Sequence, residues 1–177
     1  MSYIDLDEFI SAKPIRRFMN SDHSCLFNAV AYSANRFTYN ENSANNLRKV
    51  VSEIILGNNK KYNEAILGKS NLDYANDILS PYSWGGEIEL SILADYYKIE
   101  IVTLSAKDYK IKLIYGANKQ YKERIYIIYD GTHYDALAIN SYDENNDNLD
   151  ICKFINDDLV NNILEGKYAE MISSYYI

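Results

Sequence analysis

The stretch SDHSCLFNAV, residues 21–30, joins a polar turn to an apolar helix, and a single cysteine stands at the junction. The polar side chains before Cys25 favour turns and helix N-caps, because their oxygens accept bonds from free backbone N–H groups. From Leu26 onward the apolar residues recur at spacings of three and four, as along one face of an amphipathic helix. Cys25 is therefore predicted in the first turn of a helix.

A cysteine in the first turn of a helix has two possible roles. The helix dipole and the unpaired N–H groups favour thiolate over thiol, and the same N–H groups could hold an oxyanion during acyl transfer. Free cysteine is also among the most buried residue types and often packs as a small hydrophobic side chain. The choice between a nucleophile and a packed thiol depends on the rest of the chain.

Length and charge restrict the class of protein. The 177 residues, 47% of them hydrophobic, predict a single domain over residues 1–177 with a real core. The formal net charge of −7 argues against nucleic acid as a partner, since phosphate binding needs clustered lysines and arginines. The acidic excess either suits a partner with a basic patch or simply keeps the domain soluble.

The few cysteines and histidines indicate neither a metal site nor a disulfide framework. The two cysteines and two histidines lack the close ligand spacing of a zinc site, so no metal or cofactor is expected, and Cys152 is given no chemistry. Sparse cysteine suits a reducing compartment. The first residues lack the apolar segment of a signal peptide, and no apolar run approaches the roughly 20 residues that span a bilayer. We therefore predict a cytoplasmic protein with no membrane partner.

The hydrophobic pattern predicts helices first and a sheet second. Helices are expected at residues 5–12, 26–36, 43–57, 62–67, 71–79, 88–96 and 157–172, with Ser43 as a possible N-cap. Strands are expected at residues 15–19, 99–104, 111–115, 124–129, 133–139 and 151–155. No repeat or long linker divides the chain, so the fold class is α+β.

The segment YSWGG, residues 82–86, holds the only tryptophan beside two glycines, just before a helical pattern. Paired glycines let the backbone bend sharply and let another chain come close. The segment is therefore either one wall of a substrate channel or a helix-start turn with a packed tryptophan.

Only two histidines, His23 and His133, could act as the base that a thiol nucleophile needs. His23 is two residues from Cys25, a spacing that rarely lets the ring reach the sulfur and also be held from behind. His133 follows a glycine turn at a strand start, and Asp135, two residues on, lies on the same strand face. A Cys25–His133–Asp135 triad is predicted, unless His133 is simply a sheet histidine satisfied by a neighbouring carboxylate.

Asp22, three residues before Cys25, has three possible roles. Its carboxylate could cap the helix, fix the loop that shapes an oxyanion site, or carry the charge that orients the base. In each case Asp22 is a catalytic-site residue with a supporting role, and the sequence leaves the three roles open.

Three motifs now stand in order along the chain: DHSCLF at 22–27, WGGEIELSIL at 84–93 and IIYDGTHYDAL at 127–137. Together they resemble the ovarian-tumour (OTU) family of cysteine-protease deubiquitinases, over roughly residues 14–172. Residues 65–93 resemble the ubiquitin thioesterase subfamily that works beside the AAA ATPase segregase. The resemblance implies the OTU fold of the papain-like superfamily, with a central, mostly antiparallel sheet between helical lobes.

The resemblance also implies a function. A deubiquitinase of this family is a thiol-dependent hydrolase that cuts after the C-terminal glycine of ubiquitin, here through a Cys25 acyl-enzyme with His133 as general base and acid. Its partners would be ubiquitin, polyubiquitin or ubiquitylated proteins. Acidic Glu87 and Glu89 would suit two arginines near ubiquitin's C-terminus. The residues implied to line the channel for ubiquitin's Gly-Gly tail are Ser24, Trp84, Gly85, Gly86, Glu87, Tyr129, Asp130 and Gly131.

The sequence departs from the subfamily at three points. The subfamily usually adds an N-terminal ubiquitin-like adaptor for the ATPase and a C-terminal zinc finger, and residues 1–177 fit neither, so an ATPase partner stays an open expectation. His23 stands where a small polar residue is common, and Glu87 where alanine is common. The alternative function is a catalytically weak or inactive module of the same fold that binds ubiquitin or a ubiquitin-like protein.

Overall fold

A mixed sheet forms the centre of the fold in the computed structural model, which describes residues 6–174. Its strands are β1 (Lys13–Arg17), β2 (Glu100–Ser105), β3 (Ile111–Tyr115), β4 (Glu123–Tyr129), β5 (Tyr134–Asn140) and β6 (Lys153–Ile155). The helices are α1 (Leu6–Ser11), α2 (Cys25–Ala34), α3 (Ser43–Gly57), α4 (Glu64–Leu67), α5 (Asn71–Leu79), α6 (Glu87–Tyr97) and α7 (Asp158–Ser174). Short 3-10 turns lie at Arg36–Thr38, Ala117–Lys119 and Asp147–Leu149.

The strand order is β1-β5-β4-β2-β3, and β6 pairs with the first half of β4. Strands β2 and β4 run parallel, whereas the other strand pairs within residues 6–174 are antiparallel. The predicted α+β class and the mostly antiparallel sheet are therefore confirmed. The hairpin between β4 and β5 carries residues 130–133, which brings His133 to one end of the central strands.

Strand β4 is buried on both faces because the sheet separates two cores. Its residues alternate between them, as the two-residue period of a strand requires: Ile125 and Ile127 pack with α2, α3, α5 and α6, whereas Tyr126 and Ile128 pack with α1 and α7. Helix α2 lies against β4 and β5 on the first side, and its residues 25–34 are all buried. This packing fixes the start of α2, and with it Cys25, beside the β4–β5 turn.

The predicted elements are all present, and their ends differ for local reasons. Helix α3 begins one residue after its N-cap Asn42, so Ser43 is the first helical residue and not the cap. Helix α4 is shorter than expected, because the Asn63 side chain accepts bonds from the N–H groups of Ala65 and Ile66 and starts the helix there. Strand β1 ends at Arg17 rather than at residue 19. Asp5, in the first predicted helix, lies outside the described residues.

The polar loop of residues 141–150 is tied to the sheet by a buried carboxylate. Asp150 accepts bonds from Arg17, Tyr32 and Asn140, at 2.6 to 3.1 Å. Burial raises the pKa of Asp150, but these donors outweigh burial and hold it below its usual range. The loop therefore has a fixed path despite its Asn- and Asp-rich sequence. None of the helices in residues 6–174 is long and apolar enough to cross a bilayer.

Candidate active site

Cys25 is the first residue of α2 and is 6% exposed. Two backbone N–H groups lie close enough to the sulfur to lower the pKa of the thiol against the larger effect of burial, one from Leu26 in its own helix and one from Tyr134 at the start of β5. Since Tyr134 directly follows His133, this contact brings His133 next to the thiol. The hydrogen bonds within residues 6–174 do not include one between the Cys25 thiol and the His133 ring.

The environment of Cys25 favours the neutral thiol. Burial raises its pKa, the N–H groups of Tyr134 and Leu26 lower it, and the carboxylates of Asp22 and Asp135 raise it further, so the pKa lies above its ordinary value. The helix start does act as predicted, since the Leu26 N–H favours the thiolate, but burial outweighs this effect. The reason is tertiary: the sheet covers the helix start and excludes the water that would solvate the anion.

Alkylation of Cys25 by iodoacetamide is expected to be slow near neutral pH and to rise by about tenfold per pH unit until the raised pKa is reached. The thiolate is the reactive form, and a raised pKa leaves little of it at pH 7. The measurement is the alkylation rate from about pH 6 to about pH 9, in a C152S background so that only Cys25 reacts. A flat profile would instead reveal a preformed thiolate–imidazolium pair.

His133 and Asp135 form a pair on one strand face. His133 Nε2 lies 2.9 Å from Asp135 Oδ1, and the His133 backbone N–H donates to Asp130 Oδ1 at 2.8 Å. A carboxylate only accepts hydrogen bonds, so Nε2 carries the proton and Nδ1 keeps its lone pair. The imidazole is therefore held from behind with its Nδ1 free to act as a base.

Asp135 is completely buried, and two groups that the sequence analysis missed hold it in place. Arg16 on β1 contacts Oδ2 at 2.8 Å, and the backbone N–H of Met19 donates to Oδ1 at 2.7 Å. The antiparallel pairing of β1 with β5 brings Arg16 to this position, 119 residues away in the chain. Local sequence patterns carry no signal of such a long-range contact.

Asp22 fixes the loop before the helix. We call residues 20–25 the cysteine loop. The Asp22 carboxylate accepts a bond from the Ser24 N–H at 2.8 Å, outside the helix, and no bond from Asp22 to His133 is found among residues 6–174. Of the three roles left open by the sequence, the contact fits loop fixing rather than helix capping or orientation of the base.

Two backbone N–H groups of the cysteine loop remain weakly engaged. The Asp22 N–H donates to Asn20 O at 2.8 Å and the Ser24 N–H to the Asp22 carboxylate, but the Cys25 N–H has only a long 3.4 Å bond to Asp22 O. Among the described residues, no acceptor is found for the His23 N–H. The Ser24 side chain is turned inward, where its Oγ accepts from Arg48, so only the backbone of Ser24 could line a channel.

The two glycines after Trp84 differ in their surroundings. At Gly85 an added Cβ would lie 3.0 Å from Phe27 Cε2 and 3.2 Å from Leu26 Cδ2, whereas at Gly86 the nearest atom would be Oε2 of the flexible Glu89 side chain, at 3.9 Å. Gly85 is therefore needed because α2 of the same chain packs against it. Gly86 leaves room for a second chain, and Trp84 beside them is 58% exposed.

Gly85→Ala is expected to destabilise the protein by about 1–3 kcal/mol, because the new methyl group must displace the packed ring of Phe27. Gly86→Ala is the matched control and should change the free energy of unfolding by less than about 1 kcal/mol. Urea unfolding of the two variants makes the comparison. Equal losses of stability in both would contradict the close packing of Gly85 on α2.

The two glutamates at the start of α6 have different environments. Glu89 is 1% exposed and accepts from Tyr74 Oη at 2.8 Å and from the Gly86 N–H at 2.7 Å, so the prediction that it meets a basic substrate is wrong. Glu87 is exposed; burial raises the pKa of Tyr115 and of Tyr134, and the negative charge of Glu87 adds to both shifts. Glu87 therefore lies near Tyr134, the residue that follows His133.

The turn of residues 130–133 is shaped by its own side chains. Asp130 Oδ1 accepts from the N–H groups of Thr132 and His133; burial raises the pKa of Asp130, but these bonds hold it below its usual range. Gly131 has φ +116°, a conformation that other residues rarely adopt. Tyr129 stacks on Tyr134 with ring centroids 4.4 Å apart. The turn thus presents His133 in a fixed position.

A metal site and a cavity were the other features that could mark a functional site. Within residues 6–174 no group of three or more His, Cys, Asp or Glu side chains is arranged to hold a metal ion. A cavity of about 660 Å³ opens at the opposite end of α2, near Cys152, and is lined by none of the predicted site residues.

A thiol at a helix start, beside a histidine that a buried carboxylate holds, is the arrangement of a thiol protease. The OTU-like cysteine protease family matches residues 20–142, and the chain belongs to this family. The family resemblance drawn from the three motifs is therefore confirmed.

Similar proteins include an Arabidopsis thaliana ovarian tumor domain-containing deubiquitinating enzyme 2, 45% identical over 77% of this chain and 64% of the relative. The human ubiquitin thioesterase OTU1 is 37% identical over 82% of this chain and 41% of the relative. The chain thus spans less than two thirds of the length of these relatives. A solved ovarian tumor domain in complex with ubiquitin superposes with a TM-score of 0.73 and 30% identity, over 92% of this chain and 89% of that one.

Proposed function

We propose that the chain is a deubiquitinase that hydrolyses the bond after the C-terminal glycine of ubiquitin. The observation that carries the proposal is the His133–Asp135 pair held next to Cys25 at the start of α2. Support for ubiquitin as the substrate comes from the names of the relatives, a deubiquitinating enzyme and a ubiquitin thioesterase, and from the similar domain in complex with ubiquitin.

In the acylation step His133 Nδ1 takes the proton from the Cys25 thiol as the sulfur attacks the carbonyl carbon of ubiquitin's last glycine. The carbonyl electrons move to oxygen, and the weakly engaged N–H groups of His23 and Cys25 are the donors available to that oxyanion. When the tetrahedral intermediate collapses, the C–N bond breaks and the imidazolium returns the proton to the departing amine. A thioester between Cys25 and ubiquitin remains.

In the deacylation step water replaces the amine. His133 Nδ1 takes a proton from water as the oxygen attacks the thioester carbon, and the proton then passes to the leaving Cys25 sulfur. The products are free ubiquitin with a terminal carboxylate and the resting thiol. Asp135, held by Arg16 and the Met19 N–H, keeps the ring orientation through both steps and stabilises the imidazolium.

The ubiquitin tail would pass between the start of α6 and the β4–β5 turn. Gly86 and Trp84 would form one wall, and the Tyr129–Gly131 part of the turn the other, with Gly85 acting from behind through its packing on α2. Exposed Glu87, near Tyr134, is suited to a basic side chain near the end of ubiquitin. Ser24 and Asp130 would act by shaping the loops rather than by touching the substrate.

The direct test is reaction with ubiquitin that carries a thiol-reactive group at its C-terminus, followed by intact mass measurement. We expect one added ubiquitin, and none in C25A. A folded wild-type protein that forms no adduct would contradict the proposal and favour the inactive binding module. The intact arrangement of Cys25, His133 and Asp135 argues against that alternative.

Location and further partners belong to the same proposal. Both cysteines, Cys25 and Cys152, are free and buried, which suits the reducing conditions of the cytoplasm. Polyubiquitin and ubiquitylated proteins follow as substrates from the proposed reaction. The similarity to a ubiquitin thioesterase of the OTU1 type leaves an AAA ATPase as an open partner, for which residues 6–174 offer no dedicated adaptor.

A further inference from the structure

Arg48 is a buried cation that the sequence analysis and the proposed mechanism have not used. The residue lies in α3, its side chain is 0% exposed, and its guanidinium stacks 4.4 Å above the ring of Phe27 in α2. None of the ion pairs within residues 6–174 includes it. A fully buried arginine without a paired carboxylate is costly, so its contacts need a reason.

The guanidinium of Arg48 donates to oxygens from two loops and from α5, and most of these are main-chain oxygens. Nη2 donates to His23 O at 2.9 Å and Ser24 Oγ at 3.1 Å in the cysteine loop, and to Ser83 O at 2.8 Å. Nη1 donates to Ile78 O at 3.0 Å in α5. One side chain therefore joins the cysteine loop to residues 80–86, which we call the tryptophan loop.

Aromatic contacts join the same two loops on the outside. The His23 ring packs edge-on against Trp84, with centroids 5.7 Å apart, and against Tyr82, at 6.2 Å. Arg48 binds the main chain of both loops on their buried side, and the aromatic rings join the two loops on their exposed side. The two loops that flank Cys25 therefore form one connected unit.

The bond from Arg48 to His23 O helps to fix the plane of one peptide in the cysteine loop. The peptide between His23 and Ser24 is held at both ends: its C=O accepts from Arg48, and its N–H donates to the Asp22 carboxylate. A peptide unit is rigid, so two opposite bonds define its orientation. The N–H groups of His23 and Cys25 belong to the peptides on either side of this one, so only the φ and ψ angles of His23 and Ser24 separate their directions from that of the fixed peptide.

The positive charge of Arg48 supports the oxyanion site as well as its hydrogen bonds do. Burial lowers the pKa of Arg48, and the negative charges of Asp22, Glu89 and Cys25 oppose this shift, so by reciprocity the Arg48 cation favours negative charge at Cys25. A buried cation is weakly screened and acts at longer range than one in water. It therefore also favours the oxyanion that forms beside the sulfur.

We propose that Arg48 is a positioning residue that orients the cysteine loop, so that the backbone N–H groups of His23 and Cys25 are in place for the oxyanion of the tetrahedral intermediate. The inference rests on the proposed deubiquitinase function. Arg48 itself does not contact the substrate, and acts through the His23–Ser24 peptide.

The test uses ubiquitin aldehyde, which forms a tetrahedral adduct without turnover. The Cys25 sulfur adds to the aldehyde carbon, the C=O electrons move to oxygen, and the thiol proton passes through His133 to that oxygen. In R48K we expect the inhibition constant of the aldehyde to rise and kcat/KM to fall, each by roughly 10²-fold and in parallel. The affinity for plain ubiquitin, measured in a C25A background with and without R48K, should change by less than about threefold.

The matched control is Arg124→Lys. Arg124 is largely buried and binds Glu100, but it lies at the opposite end of β4 from the β4–β5 turn. We expect R124K to lower the melting temperature without changing either kinetic quantity. If R48K does not fold, R48Q takes its place: its side chain is polar but shorter and uncharged, so it cannot bind the oxygens of both loops at once, and the same parallel losses are expected.

Three outcomes would overturn the inference. Unchanged aldehyde inhibition per folded molecule in the Arg48 variant would show that the arginine only supports the fold. Equal weakening of aldehyde and plain ubiquitin would show that it shapes the binding surface rather than the oxyanion site. A wild-type protein that binds plain ubiquitin but not the aldehyde would contradict the proposed hydrolase function itself. This failure is distinguishable from failure of the Arg48 inference, because it is seen in the wild-type protein without any variant.

Discussion

Replacement of Cys25 by alanine is expected to lower turnover of a ubiquitin C-terminal amide by about 10⁵-fold or more, while the affinity for ubiquitin changes by less than about threefold. The sulfur is the atom that forms the thioester, and the hydroxyl of neighbouring Ser24 is turned inward to accept from Arg48. Removal of the nucleophile leaves only the catalysis that binding and the oxyanion donors supply. Binding survives because the predicted channel is formed by other residues.

The structure also predicts that C25A folds. The side chain is 6% exposed, and its loss removes one sulfur atom from a site where two carboxylates, Asp22 and Asp135, already disfavour the thiolate. The measurement is kcat and KM with a fluorogenic ubiquitin amide, together with the dissociation constant for ubiquitin. Turnover by C25A within about tenfold of wild type would contradict the assignment of Cys25 as the nucleophile.

Cys152→Ala is the matched control for this variant. Cys152 is the other cysteine, is also buried, and lies between β5 and β6 beside the cavity at the far end of α2. Burial raises the pKa of its thiol, so it is a poor nucleophile. We expect C152A to keep the wild-type kcat and to form the adduct with reactive ubiquitin, so that loss of both in C25A alone identifies the reacting sulfur.

The positions of Cys25, His133 and Asp135 follow from short sequence patterns. A polar turn before a three-and-four apolar spacing places Cys25 at a helix start, and a two-residue offset on a strand places His133 and Asp135 on one face. Both patterns depend only on residues close together in the sequence, so they do not require knowledge of the tertiary contacts. The nearly continuous apolar run of residues 124–129 predicts in the same way that this strand is covered on both sides.

The parts of the site that the sequence did not predict depend on distant contacts. Arg16 meets Asp135 only because β1 pairs with β5, and the raised pKa of Cys25 appears only when the sheet covers α2. Arg48 did leave a signal: it falls on the face of α3 that also carries Ala44, Val51 and Ile55, all of them buried. A charged residue on an otherwise apolar helix face indicates a buried polar network.

His133→Ala is expected to lower kcat by roughly 10³–10⁴-fold, with KM changed by less than about threefold. Without the imidazole, the Cys25 proton has no acceptor and the departing amine no donor. Because burial already raises the Cys25 pKa, the loss of the base is not offset by spontaneous ionisation. Asp135→Ala should lose less, since the ring of His133 remains but is no longer held.

His23→Ala is the control that separates the two histidines. The His23 ring is exposed and packs against Tyr82 and Trp84, and among the described residues no carboxylate holds it from behind. We expect H23A to keep kcat within about tenfold of wild type and to retain the pH profile, whereas H133A loses the limb that reports the base. A larger loss in H23A than in H133A would make His23 the base.

Addition of imidazole gives the sharper readout for His133. The alanine variant leaves a space beside the Cys25 sulfur, next to the Asp135 carboxylate that is still held by Arg16 and the Met19 N–H. Free imidazole can bind there in the orientation of the lost ring, so it should restore part of kcat in H133A and none in C25A. A purely structural role for His133 predicts no such recovery, because a misfolded loop is not repaired by a small base.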